Sequence, residues 1–166
     1  MVDIDYIKAL YKEKKYQEIK DLLKNEEENL NPELNYLLAM IANEEKEYDI
    51  AFILFSKAAN HNHSEAERAL GIYYYQGYGC KVDTIKGRYW VDKAIKDGNV
   101  RAYCTLAHIY MNGLGLDKDE HQGYLLYKKA AELGDSHAKE HLIECYEKGI
   151  GTPIDISKVK ELKNQG

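Results

Sequence analysis

Proline is scarce in this chain: Pro32 and Pro153 are the only two among 166 residues. Proline removes a backbone donor and clashes with the preceding helical turn, so its scarcity leaves room for uninterrupted helices and argues against a disordered tail. Cysteine is also sparse. Cys80, Cys104 and Cys145 are odd in number and widely spaced, which gives neither a disulfide framework nor the CxxC pairs of a zinc site and points to a reducing compartment. No run of about twenty apolar residues occurs, and the start, MVDIDYIKALYKEKKYQ, has no apolar centre of a signal peptide. Membrane insertion is not expected, and the chain reads as cytoplasmic. An excess of basic residues is missing too, with a formal net charge of −5. A phosphate backbone would go unneutralised, so nucleic acid is not an expected partner.

What is present is 45% hydrophobic and 31% charged residue content, the profile of an ordered, predominantly helical chain with one core or one continuous stack. The organising feature is a repeat of 36 residues. At that shift Ala66, Ala102 and Ala138 coincide, as do Leu70, Leu106 and Leu142; Tyr74, Tyr110 and Tyr146; Gly77, Gly113 and Gly149; Gly79, Gly115 and Gly151; and Asp83, Asp119 and Asp155. Lys93 with Lys129, Ala94 with Ala130, and Gly98 with Gly134 continue the pattern.

Each column has a physical reading. Ala, Leu and Tyr four residues apart share one stripe of a first helix. The GxG pair lets the backbone take positive φ and end that helix, and the following Asp caps the next one. A second helix places Trp90 and Ala94, or Leu126 and Ala130, on its buried face. Before residue 64 the spacing persists without the glycine loop. Leu34, Leu37, Leu38, Ile41 and Ala42 precede Ala51, Leu54, Phe55, Ala58 and Ala59, with Pro32 at a helix start. Ile7, Leu10 and Tyr11, then Tyr16, Ile19, Leu22 and Leu23, give a further pair. The expectation is five hairpins, the first two with short turns.

These residues carry a resemblance. ALGIYYYQGYGCKVDTIKGRYWVDKAIKDGN, AYCTLAHIYMNGLGLDKDEHQGYLLYKKAAELGD and AKEHLIECYEKGIGTPIDISKVKELK resemble Sel1-like repeats, dividing about residues 64–166 into 64–99, 100–135 and 136–166. The third copy loses the closing alanine pair, as a terminal cap or a shortened copy would. Residues 1–63 look more like two degenerate hairpins of the related tetratricopeptide repeats. The resemblance implies an all-α, right-handed solenoid of antiparallel helix pairs that acts as an adaptor for protein complexes, with no catalytic residue set and no cofactor.

By similarity to tetratricopeptide repeats, the first helix of each pair lines the concave face. The positions between its packing columns are then candidates for holding a partner protein or peptide. They are Glu65, Arg68, Ile72, Tyr75 and Gln76; Arg101, Cys104, His108, Met111 and Asn112; and His137, His141, Glu144 and Lys148. They vary from repeat to repeat and mix aromatic, Met and Arg side chains of the kind found in interface cores. Within the run Tyr73–Tyr75, the spacing assigns Tyr73 to packing and Tyr75 to contact.

Apparent chemical motifs yield to plainer readings. HAKEH, from His137 to His141, has the HxxEH form of a zinc peptidase motif, but Ala138 and Leu142 commit that helix to packing and little chain follows to supply a third ligand. The glycine loops follow no strand and lack the GxxxxGK[ST] spacing. Gln122 and Lys128 stand where a calcium loop needs Gly and Glu. Cys80 reads as a free thiol in an exposed loop with no His at catalytic spacing. The functional expectation is a cytoplasmic adaptor, with toxin immunity or host interaction through the same groove as the alternative. A weak β-lactam hydrolase is a more distant one, because cysteine-rich relatives carry paired cysteines in each repeat.

Overall fold

The computed structural model describes residues 3–24 and 31–164. Among them the chain forms ten helices and no strand, α1 (Ile4–Lys12), α2 (Tyr16–Leu23), α3 (Pro32–Glu44), α4 (Tyr48–Asn60), α5 (Ser64–Gln76), α6 (Thr84–Lys96), α7 (Val100–Asn112), α8 (Glu120–Glu132), α9 (Ser136–Lys148) and α10 (Ile156–Asn164). They run as five hairpins stacked into a solenoid.

The repeat columns explain how each hairpin is made. Gly77, Gly113 and Gly149 end α5, α7 and α9 in the left-handed conformation. Asp83, Asp119 and Asp155 then accept the backbone N–H of Lys86, Gln122 and Lys158 at 2.9, 2.9 and 3.1 Å, caps that contribute about 1 kcal/mol each. The same aspartates donate their own N–H to the carbonyls of Tyr74, Tyr110 and Tyr146 at 3.0, 2.9 and 3.0 Å. The loop is thereby closed on the helix it leaves.

The second glycine of each pair joins one hairpin to the one before it. Gly79, Gly115 and Gly151 have φ of 63°, 71° and 68°. A methyl group there would strike Tyr48, Thr84 and Glu120, the opening residues of α4, α6 and α8. Only a residue without a Cβ lets the loop lie on the start of the previous second helix. The first two hairpins use short turns, with Lys14 and Lys46 at φ of 58° and 63°.

Alanine sets the helix spacing. Ala66, Ala102 and Ala138 on the first helices, and Ala58, Ala94 and Ala130 on the second, have no solvent exposure. Ile7, Leu10, Ile19 and Leu23 bury with Leu34, Leu37 and Ile41, so the amino-terminal hairpin packs on the second. One expectation is corrected: Leu22 points outward at 47% exposure. Trp90 is half-buried and packs against the core formed by α3, α4 and α5, with Lys93 over its ring.

First helices touch across hairpins, α1 with α3 and α5 with α7, whereas consecutive second helices do not meet to the same extent among the described residues. At these two junctions the first helices approach more closely than the second, and by likeness to helical-repeat stacks the first-helix side is the inner one. Among the described residues no helix is long and apolar enough to cross a membrane.

Candidate functional site

A groove of about 330 Å³ opens on the concave side across α5, α7, α8 and α9. Its lining comes from α5 (Ile72, Tyr75 and Gln76), α7 (Cys104, Thr105, His108 and Ile109), the loop after α7 (Leu114), α8 (Tyr127) and α9 (His141). Helix geometry explains the gathering. Ile72 and His108 are one repeat apart, as are Thr105 and His141, so neighbouring first helices present equivalent positions side by side.

Ring packing shapes the walls. Tyr75 lies on Gly87 of α6, whose missing Cβ makes room for the ring. Tyr127 stacks on His141 with ring centres 4.5 Å apart and planes 21° apart. Burial is the main cause that pushes the Tyr127 phenol up to about 12. The Cys104 thiol donates to Asp135 Oδ1 at 3.6 Å. Burial and then the Asp135 charge push that thiol up to about 12. At neutral pH the groove therefore presents neutral phenol and thiol groups.

Of the sequence candidates, the structure brings Ile72, Tyr75, Gln76, Cys104, His108 and His141 together in this groove. The rest lie outside its lining. Arg68 is half-buried and donates to Glu65 at 3.0 Å. Arg101 is exposed at the start of α7. Asn112 donates to the His108 carbonyl at 2.9 Å. Glu144 pairs with Lys148 at 2.6 Å, and His137 is exposed on α9. Met111 is half-buried and covers Gly123 as Tyr75 covers Gly87, which makes it a packing residue of its own hairpin.

Tyr73 packs, as its spacing predicts: it is buried, and its hydroxyl donates to Asn43 Oδ1 at 2.6 Å. Cys80 is corrected. It is half-buried, with its thiol directed to the Tyr73 carbonyl at 3.6 Å, and burial raises its pKa. The HAKEH string gathers no ligand set. No group of three or more His, Cys, Asp or Glu side chains is placed to hold a metal among the described residues.

Tyr127, Thr105, Ile109 and Leu114 were absent from the candidate list. Tyr127 belongs to a second helix, and its column one repeat earlier holds Val91. The larger ring is the sequence clue: it fills the core position and extends beyond it into the groove.

Curved stacks of helix hairpins with an open inner groove define the class of helical-repeat scaffolds. The chain belongs to the Sel1 repeat family, which matches residues 36–63, 64–99, 100–135 and 144–158. The first of these matches falls in the stretch whose spacing had suggested tetratricopeptide hairpins. Members of this family generally serve as protein–protein interaction scaffolds and are typically non-catalytic. Protein sel-1 homolog 2 of Homo sapiens is 38% identical over 102 residues, covering 60% of this chain and 15% of that protein. This chain thus spans a small part of the length of the curated relative it matches. Among solved structures, a Sel1 repeat protein from Oxalobacter formigenes superposes with a TM-score of 0.79 at 26% identity, over 96% of this chain and 67% of that one. The Escherichia coli protein c5321, described as a protective antigen of uropathogenic strains displaying an SLR fold, gives 0.71 at 26% identity, over 90% and 33%.

Proposed function

We propose that this chain is an adaptor that holds a segment of a partner protein in the concave groove across α5, α7 and α9, and performs no chemistry on it. The observation that carries the reading is the groove itself. Ile72, Tyr75, His108, Tyr127 and His141, drawn from four helices, line one open concavity. Apolar and aromatic side chains arranged in this way can receive side chains from an extended or helical segment. The raised thiol and phenol groups of Cys104 and Tyr127 supply no nucleophile at neutral pH. A cytoplasmic setting fits the three free cysteines.

The test is affinity capture from the source cell with the full chain, compared with His108→Glu and Ile72→Asp. His108 is exposed, so its variant retains the fold, and circular dichroism controls for the half-buried Ile72. A partner retained by the wild type and lost by both variants supports the reading. Equal capture by all three removes the groove as the docking face.

A further inference from the structure

A cavity of about 520 Å³, larger than the concave groove, opens on the second-helix side between α2 and α4. Its apolar lining is Leu23, Leu38, Ala42, Ile50, Ile53 and Leu54. The outer stripe of α4 forms its lip. Asp49, Ile53 and Lys57 stand four residues apart, which aligns them along one line of the helix surface. Ile50 lies three residues before Ile53 on the same side. All four are exposed, Ile50 at 49% and Ile53 at 55%. Asp49 and Lys57 make no ion pair and no side-chain hydrogen bond with any described residue. Further exposed apolar groups flank the stripe, Leu22 at 47% on α2 and Tyr89 at 58% on α6, the latter one repeat after Ile53.

We infer that two copies of this chain pair back to back through α4, antiparallel about a twofold axis at Ile53, so that Asp49 of each copy meets Lys57 of the other. Asp49 and Lys57 are equally far from Ile53, one before it and one after it, so reversing the helix exchanges their places and sets each charge against its opposite. A parallel pairing would set like on like. Ile53 meets its own copy on the axis, and Ile50, Leu22 and Tyr89 add the apolar area that a specific interface of roughly 800 Å² per partner needs. The charges round the cavity favour a second copy over a partner of one sign. Lys20, Lys24 and Lys57 are offset by Asp21, Glu47 and Asp49, and Lys20 is also bonded to Glu45. A uniformly acidic or basic segment would meet like charge there, whereas an isologous contact sets a mixed patch against its own reverse. Pairing on this side leaves both concave grooves open, so the dimer carries two docking faces. The inference is independent of what the groove binds.

The experiment is sedimentation equilibrium of the full chain over a concentration series, with circular dichroism to confirm that each variant folds; all the positions changed are exposed. Wild type is expected to pass from the monomer mass to twice that mass. Lys57→Asp and Asp49→Lys each bring like charges together and should weaken self-association about tenfold. Mixed in equal amounts, these two variants should pair with each other about as tightly as wild type pairs with itself, because each supplies the charge the other lacks. Ile53→Asp should stay monomeric alone and in every mixture. Wild type that remains at the monomer mass up to about 1 mM, the weak end of specific association, overturns the inference. Self-association that ignores the single changes, or that mixing does not restore, overturns the antiparallel α4 contact.

Discussion

The Glu67 carboxylate, with no solvent exposure, is met by the Lys93 ammonium reaching across from α6 to α5. Lys93 also donates to Asp97 and to Asn62 Oδ1, both at 2.9 Å, so a single cation ties the end of α4's turn, α5 and α6 together.

Removing that cation strands a buried charge. Lys93→Met is expected to lower stability by about 3 kcal/mol, and the double change Glu67→Leu with Lys93→Met to recover most of the loss, since an apolar pair needs no compensation. Urea unfolding of the three proteins checks this; a single variant as stable as wild type contradicts it.

The loop glycines differ in what surrounds them. A methyl group at Gly151 meets the Glu120 carbonyl, whereas one at Gly98 meets nothing within 4 Å, although both have positive φ. Gly151→Ala is expected to cost about 3 kcal/mol and Gly98→Ala about 1 kcal/mol, the difference being the collision added to the backbone strain. Thermal melts of the two variants should separate in that order.

Acid should destabilise the fold. Hydrogen bonds from Lys8, Tyr16 and Lys93 are the largest causes holding Glu33, Glu44 and Asp97 below their ordinary values of 4.5, 4.5 and 3.8. A carboxylate with a depressed folded pKa contributes stability that is full above its unfolded pKa and is lost as pH falls through the folded one. Glu67 is opposite in sign, because burial raises its pKa, so its protonation in acid relieves a cost. The melting temperature should stay nearly level from neutral pH to about 5 and drop below about 4.5. A Glu67→Gln variant should keep the drop.

The thiols should resist alkylation while the chain is folded. Burial pushes Cys145 up to about 11 and, with Asp135, Cys104 to about 12. At pH 8 roughly one Cys104 in ten thousand is thiolate, against about a quarter for an ordinary thiol. Iodoacetamide followed by peptide mass mapping should show slow labelling of both residues, rising sharply in denaturant. Fast labelling of the folded chain would contradict the burial.

The glycine, alanine and aspartate columns made the hairpins readable from the sequence because their roles are local: a turn, a close contact and a cap each need a particular residue type at one position. The groove was readable in part. Ile72, His108 and His141 follow from the repeat register, but Met111 and Tyr127 do not, because whether a side chain ends in the core or beyond it depends on the size of its counterpart on another helix. Gly123 gives Met111 a seat within its own hairpin, and that pairing appears only when α7 and α8 are placed together. Glu67 reads as an ordinary surface acid of α5 until Lys93 of the next helix is seen reaching it. Leu22 misled for a simpler reason: the short α2 buries only Ile19 and Leu23, one narrow stripe.

The second glycine of each loop sits on the start of the helix in the hairpin before it, and substantial contact elsewhere also joins only adjacent hairpins. Such an arrangement has the mechanics of a coil spring: a small rotation at each joint adds to the next, so the width of the inner channel is set by the sum of many slight flexures. A guest that draws α5 and α9 together would be resisted by soft joints, whose stiffness could be tuned far from the guest by altering a single loop.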